Sequence, residues 1–283
     1  ISAHVDTIAA AMDDIGARAD GSMLQALVPP WVPTPWNRRA KRGLRAIDGV
    51  IDEVIDEGRD GAEERDDLLS TLLVAHRNGE ISRETLRDQL VTFLLAGHET
   101  TSLALTYTWY LLAENPTKRE RVHDELDAAL DGATPTVADR SELQYTERAI
   151  TEAMRVYPPV YRVLREAREP VELGGHELQA GSKLTLPQWL VHRDDRWYDD
   201  PETYRPDRWT EKRDRPTYAY FPFGGGPRRC IGMAFARLEA LLILATVAQQ
   251  YRLELVGDGG RLSLQPGVTA APAEPVEMSP QKR

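Results

Sequence analysis

The stretch from Phe221 to Ala240 reads FPFGGGPRRCIGMAFARLEA and holds the only cysteine of the chain, Cys230. Three glycines and two prolines before the cysteine disfavour regular structure, because glycine is permissive and proline lacks an amide donor. The residues from Met233 to Val247 are rich in Ala and Leu without a breaker, which predicts a helix. We therefore expect Cys230 where a tight loop meets a helix N-terminus, a position that favours the thiolate needed by a metal or an electrophile.

Three interpretations compete for this stretch. A lone cysteine in an intracellular chain is most often a small buried core residue. A phosphatase-like loop needs the C-x5-R spacing, and Arg237 comes one residue too late for it. The third interpretation is an iron-thiolate loop, in which the meaningful residues are Phe223, Gly224, Gly226, Arg228, Cys230, Ile231 and Gly232.

A second polar feature interrupts a long predicted helix, which runs from about Ser82 to Glu114 with Ser82 as its N-cap. The helix is apolar on almost all sides except for the run GHETT at residues 97–101. Polar groups there cost free energy unless they are satisfied or functional. Glu99 and Thr100 are adjacent and point about 100° apart, so they could line two sides of one groove. The alternative is a C-cap at Gly97 followed by a new helix.

A third feature is the i,i+3 pair of Glu152 and Arg155 in a helix predicted from Leu143 to Tyr157. Such a pair is ordinarily a surface ion pair worth little to stability. It precedes the segment PDRW at residues 206–209, and that segment precedes the cysteine loop. The order of the three features matters more than any one of them.

Together these motifs resemble those of the cytochrome P-450 family. The pattern F-G-x-G-x-R-x-C-I-G at residues 223–232 is similar to the family's heme-ligating signature, and A-G-x-E-T-T at residues 96–101 is similar to its oxygen-binding helix. E-x-x-R, P-[ED]-R-[FW] and the cysteine loop also follow in the family's order. The resemblance implies a mainly α fold with a small β region, the cytochrome P-450 fold, incomplete at the N-terminus. Residues 1–283 would be a single heme-binding domain without an internal linker, the C-terminal part of a longer family member.

The resemblance also assigns roles to residues. The cofactor would be heme b, iron protoporphyrin IX, with Cys230 as the ligand of its iron. The cofactor-binding residues implied are Cys230, Arg228, Arg165, Phe223, Gly226 and Gly232. Glu99 and Thr100 would be catalytic, delivering protons during oxygen reduction. Glu152, Arg155 and Arg208 would form a buried charge network that holds the loop, and for Arg165 a surface position on a strand remains an alternative.

The implied activity is that of a heme-thiolate monooxygenase. It would hydroxylate a small apolar organic substrate, such as a fatty acid or a terpenoid-like molecule, with O2 and electrons from a separate ferredoxin, flavodoxin or flavin reductase. Arg229 and neighbouring basic residues on the cysteine side would dock that donor. Two alternatives stay open: a family relative that uses peroxide or rearranges its substrate, and a truncated, non-functional heme-domain fragment.

Composition narrows the function classes. The chain has 283 residues and a formal net charge of −10, which argues against a nucleic-acid partner. One cysteine excludes a disulfide framework within the chain and fits a reducing compartment. No apolar run reaches membrane-spanning length. The resemblance implies a cytoplasmic protein and leaves open an N-terminal membrane anchor ahead of Ile1.

Hydrophobic periodicity predicts the remaining elements. A proline-rich connector is expected from Leu27 to Trp36, an irregular meander from His192 to Tyr220, and short strands with a polar tail after residue 251. The other predicted helices cover residues 1–20, 38–58, 66–76 and 117–130, and strands are predicted at 160–167 and 183–187 with turns at Gly174-Gly175 and Gly181. His98, His176 and His192 are interpreted as hydrogen-bonding structural residues, because none has a second ligand at helix or turn spacing.

Overall fold

The computed structural model describes residues 4–16, 28–58, 65, 67–210, 214–257, 260 and 262–283. These residues form two compact units, Ile1–Glu99 and Thr100–Arg283, which are described one at a time. Of the helix predicted over residues 1–20, residues 1–3 and 17–20 lie outside the described residues, and so does most of the polar stretch between Gly58 and Arg65. The fold class is as predicted, mainly α with a small β region.

The first unit contains the helices α1 (Val5–Gly16), α2 (Pro35–Gly58) and α3 (Leu68–Arg77), and the N-terminal part of α4 (Arg83–Glu114). Its core members on α2 recur at helical spacing, so one face of that helix is apolar. The buried core residues are Ile8, Ala11, Ile47, Val50, Ile51, Val54, Ile55, Leu73, Leu86 and Leu90. Helix α2 starts at Pro35, inside the predicted connector, because proline is tolerated at a first helical position.

Helix α4 begins one residue after Ser82, whose hydroxyl accepts a hydrogen bond from the amide of Thr85 at 3.0 Å. This is the N-cap predicted from the sequence. The helix continues without interruption through Gly97 and ends at Glu114, before Pro116. The alternative of a C-cap at Gly97 is therefore wrong, because a single glycine costs a helix only about 1 kcal/mol.

The second unit is built on α5 (Pro116–Leu130), α6 (Gln144–Val156) and α8 (Met233–Gln250), with the short helix α7 (Gln188–Val191) between them. Helix α8 packs on both α5 and α6. Ala240, Leu241, Leu244, Ala245 and Ala248 are buried in that packing. Among the described residues α8 alone is long and apolar enough to cross a membrane by length and composition, a test that core helices also pass. This corrects the expectation that no apolar stretch reaches that length.

The described residues of the second unit also form four antiparallel strand pairs. Strand β1 (Val163–Glu166) pairs with β4 (Lys183–Leu186), and β2 (Val171–Leu173) with β3 (His176–Leu178) around the predicted Gly174-Gly175 turn, whose φ angles are +59° and +81°. Strand β5 (Tyr251–Leu255) pairs with β8 (Met278–Lys282), and β6 (Leu264–Pro266) with β7 (Ala270–Pro272). The predicted polar tail is thus mostly a paired strand, since a long-range partner supplies its hydrogen bonds.

Candidate functional site

The cysteine loop folds back on itself through main-chain hydrogen bonds. The amide of Cys230 donates to the carbonyl of Phe223 at 2.9 Å, and the amide of Gly224 donates to the carbonyl of Phe221 at 2.9 Å. Gly224 and Gly226 have φ angles of +71° and +64°, a region that residues with a Cβ rarely adopt. The glycines of the motif therefore allow the main chain to reverse direction, which brings the amide of Cys230 to the carbonyl of Phe223.

Cys230 lies on the surface of its unit, two residues before the N-cap of α8, Gly232. Two large apolar side chains beside it are also exposed, Ile231 at 84% and Phe235 at 69%. A Cβ on Gly232 would lie 3.9 Å from the cysteine sulfur, so the helix start is close to the thiol. The interpretation of Cys230 as a buried core residue is wrong.

These features fit a heme. In the described part of the chain no three His, Cys, Asp or Glu side chains are grouped as a metal site, so the thiol is the sole ligand the loop offers. The residue that would hold a heme iron here is Cys230, because a cysteine thiolate is an established protein ligand of heme. The exposed apolar surface around Cys230 suits the face of such a flat, apolar ring.

Glu152 on α6 is the centre of a buried charge network. Its carboxylate accepts five hydrogen bonds: two from Arg155 at 3.0 and 2.9 Å, and one each from the Arg208 guanidinium at 2.8 Å, the Arg205 amide at 3.0 Å and the Trp209 indole at 2.9 Å. Glu152, Arg155 and Arg208 are all 0% exposed. Burial lowers the pKa of Arg208, and the charge of Glu152 opposes that lowering.

The two arginines of the network also bind main-chain carbonyls of the segment between α7 and the loop. Arg155 donates through Nη1 to the carbonyls of His192 and Pro201 at 2.8 and 2.7 Å. Arg208 donates through Nη1 to the carbonyl of Asp199 at 2.9 Å, and both guanidinium groups donate to the carbonyl of Thr203. One carboxylate thus fixes two cations, which in turn fix the irregular segment that precedes the cysteine.

The other predicted site residues lie on the cysteine loop, on β1 and on α4. Arg165 lies on β1, is exposed, and donates to the carbonyl of Leu164 at 2.8 Å. Arg228 is exposed and lies in a one-turn 3-10 helix, Gly226–Arg228. Phe223 is partly buried and packs against the core of the second unit. Glu99 and Thr100 are half-buried neighbours on α4.

Sequence reasoning missed one contributor, Trp209. Trp209 belongs to the quoted PDRW motif, yet its indole bond to Glu152 requires the tertiary structure. His192 was assigned a structural role, and the structure confirms it: the ring is fully buried and its Nε2 accepts the amide of Phe221 at 2.9 Å. The sequence alone showed a polar residue at position 192 and could not show that this position lies in the core.

Comparisons with known proteins agree with these motifs. A sequence model of the family described as Cytochrome P450 matches residues 4–278. The chain is 36% identical to cyclooctatin synthase of Streptomyces melanosporofaciens over 93% of its length and 59% of that protein's. It is 38% identical to cyclooctat-9-en-7-ol 5-monooxygenase of the same organism, over 84% of the chain and 54% of that protein. For pentalenene oxygenase of Streptomyces avermitilis the values are 37%, 80% and 51%. The chain spans about half the length of these relatives.

Proposed function

The chain belongs to the cytochrome P450 family, and from that premise we propose that the protein containing it is a heme-thiolate monooxygenase. It hydroxylates a small apolar, terpenoid-like substrate with O2 and electrons from a separate donor. Residues 1–283 belong to a single heme-binding domain.

The observation that supports this proposal best is the position of Cys230 and the side chains around it. A single thiol stands exposed on a loop whose reversal is set by glycines, next to exposed Ile231 and Phe235. A core cysteine would be covered, and a cysteine in a multi-ligand metal site would have other ligands near it. This combination of one thiol and apolar neighbours suits a flat, apolar, iron-bearing group.

A bound heme b would supply the oxidising chemistry. Cys230 would hold its iron through the thiolate, with Phe223, Gly226 and Gly232 shaping the loop beside it. Arg228 and Arg165 neutralise the cofactor's carboxylates. Glu99 and Thr100 hold and move protons at the carboxylate and hydroxyl oxygens, which is the task of positioned acid–base groups.

The names of the relatives support the substrate class. Cyclooctat-9-en-7-ol 5-monooxygenase and pentalenene oxygenase are terpenoid-related oxygenases. Both are named for oxygenation, and we extend that substrate class to this protein. A terpenoid-like substrate is therefore favoured over a fatty acid.

The electron donor is a ferredoxin, a flavodoxin or a flavin reductase. The surface of this chain on which the donor docks includes Arg229. Arg228 and Arg229 are exposed on the cysteine loop of a chain whose net charge is −10. Local positive charge on an acidic protein favours an acidic partner. We place the protein in the cytoplasm, where such donors are found.

The proposal is tested on the purified whole protein. Heme content is measured first, and then conversion of a panel of terpenoid hydrocarbons and alcohols with O2, NAD(P)H and a surrogate ferredoxin–reductase pair. We expect stoichiometric heme and a product that gains one oxygen atom from 18O2. Product formation with peroxide alone, and none with O2 and reductant, would instead identify a peroxide-using relative. A folded protein that takes up no heme would contradict the proposal.

A further inference from the structure

The peptide group of Phe221, where the cysteine loop begins, is held from both sides by buried side chains. Its N–H donates to Nε2 of His192 at 2.9 Å. Its carbonyl accepts a hydrogen bond from Nε2 of Gln188. We call Gln188 and His192 the Phe221 clamp.

The two clamp residues reach one peptide because they stand on the same face of one helical turn. Gln188 opens α7, and the amide of His192 donates to the carbonyl of Gln188 at 2.8 Å. Residues spaced i,i+4 lie one above the other on a helix. Both side chains are 0% exposed. Burying two polar side chains is costly unless they form hydrogen bonds. Here the Nε2 atom of each side chain forms a hydrogen bond with the Phe221 peptide.

His192 also joins the clamp to the charge network. Its carbonyl accepts from Nη1 of Arg155 at 2.8 Å, while its side chain bonds Phe221. The imidazole ring lies against the rings of Tyr220 and Phe221, with centroid distances of 5.2 and 5.4 Å. His192 thus connects the Glu152 network to the start of the loop.

From Phe221 the path to the thiol is short. The Phe221 carbonyl that Gln188 binds also accepts the amide of Gly224, which closes the first turn of the loop. Phe223, inside that turn, then accepts the amide of Cys230 at 2.9 Å. A shift of the Phe221 peptide would move the turn, the Phe223 carbonyl and the cysteine together.

We infer that Gln188 and His192 are positioning residues for Cys230, which fix the loop by clamping the Phe221 peptide and coupling it to the Glu152–Arg155–Arg208 network. The importance of that loop for oxidation rests on the proposed function, whereas the clamp itself does not. The acceptor atom Nε2 of His192 is the feature that matters, rather than the bulk of the ring.

The test compares three variants of the whole protein. His192→Phe keeps a ring and loses the acceptor, and His192→Gln replaces Nε2 with an amide oxygen at similar reach. His123→Phe is the matched control, because His123 is also a buried histidine of the second unit but lies on α5. The readouts are amide hydrogen exchange of the peptide covering residues 221–232 and, in the heme-loaded protein, the share of the reduced carbon monoxide complex that keeps the thiolate band.

We expect exchange of the loop amides in His192→Phe to be about tenfold faster, the effect of one lost buried hydrogen bond. His192→Gln should stay close to wild type, as should the loop in His123→Phe. The thiolate band should decline in His192→Phe alone. Equal loop exchange in His192→Phe and His123→Phe would overturn the inference, and so would His192→Gln exchanging as fast as His192→Phe.

A second variant keeps the inference testable if His192→Phe does not fold. Gln188→Met removes the donor to the Phe221 carbonyl at nearly constant volume, and it should also speed loop exchange. Unchanged loop exchange in Gln188→Met would contradict the clamp. A wild-type protein that shows slow loop exchange but no thiolate band would instead refute the proposed function and leave the clamp intact.

Discussion

At the scale of single residues, Glu152 accounts for most of the order around the candidate site. Five donors converge on its two oxygens, and its side chain has no contact with solvent. The cost of burying Arg155 and Arg208 is offset only while that carboxylate is present. The sequence identified these three residues through a family motif. The indole donor of Trp209 could not be foreseen, since an aromatic residue in that motif is equally compatible with simple packing.

Glu152→Gln should destabilise the fold severely. The amide removes the negative charge and points donors at donors, which leaves two buried cations without a counter-charge. The expected loss in the free energy of unfolding is about 3–5 kcal/mol, measured by urea denaturation of the whole protein.

The control for that variant is Arg196→Gln, which breaks the surface pair between Arg196 and Asp194, whose arginine side chain is 73% exposed. Exposed pairs of this kind contribute little. A loss for Glu152→Gln no larger than for Arg196→Gln would show that the network is not a stability determinant.

His192 should give the protein a specific sensitivity to acid. Burial first, then the charges of Arg155 and Arg193, lower the pKa of His192 to about 3 from its ordinary value of 6.5. Between those two pH values the unfolded state binds a proton that the folded state does not, so stability falls as pH falls from about 6.5 toward 3. Above that window the imidazole is neutral and Nε2 remains an acceptor for Phe221.

Lowering the pH from about 7 to about 4.5 should therefore cost roughly 2–3 kcal/mol through His192, the difference in stability that the wild type shows beyond His192→Gln in urea denaturation at both pH values. Part of the acid dependence will persist in the variant, because burial also lowers the pKa of His123. The same acid dependence in both proteins would mean that His192 is protonated in the fold.

At the scale of elements, the helix pair α1 and α2 depends on a glycine contact. A Cβ on Gly43 would come within 2.5 Å of the Ala11 carbonyl oxygen, a main-chain atom that cannot move without moving α1. Gly49 lies six residues further along α2, and a Cβ added there would have nothing within 4 Å. A side chain is therefore excluded at Gly43 and tolerated at Gly49.

Gly43→Ala should lower stability by about 1–3 kcal/mol, because it overpacks a close helix contact. Gly49→Ala should raise stability by up to about 1 kcal/mol, since alanine is the better helix former. Thermal unfolding followed by circular dichroism distinguishes the two signs. The same sign for both variants would contradict the described packing of α1 on α2.

The elements that the sequence predicted well are those with local signals. Ser82 as an N-cap, the apolar face of α2 and the Gly174-Gly175 turn depend on neighbours within a few residues, and each lies close to its predicted place. The pairing of β5 with β8 joins segments more than twenty residues apart. Nothing in the local pattern specifies such a partner, so the sequence predicted a polar tail at the end of the chain.

At the scale of the whole molecule, family motifs predicted the fold class and local pattern did not. Phe223, Gly224 and Cys230 were identified in one motif, and the structure gives that motif a physical basis in two left-handed glycines and one hydrogen bond. The Phe221 clamp was invisible because Gln188 and His192 act on a peptide about thirty residues away. Contacts of that separation follow from the folded chain and not from periodicity.

The charge distribution predicts how the electron donor is recognised. Arg229→Glu should slow reduction by the natural donor by about tenfold at low salt, because complementary charge mainly accelerates association. Reduction by dithionite should be unchanged. Arg168→Glu makes the same charge change at another exposed arginine and should have little effect. Stopped-flow measurement of donor-driven reduction checks this, and equal rates for Arg229→Glu and wild type would remove Arg229 from the docking surface.

The central claim is that the sulfur of Cys230 is the axial ligand of a heme iron, and one spectrum tests it. The whole protein, reduced and bound to carbon monoxide, should show the red-shifted Soret band that thiolate ligation produces. Cys230→Ser should bind heme less well and lose that band. If the wild-type protein never shows the band, or if Cys230→Ser keeps it, the account of this site is contradicted.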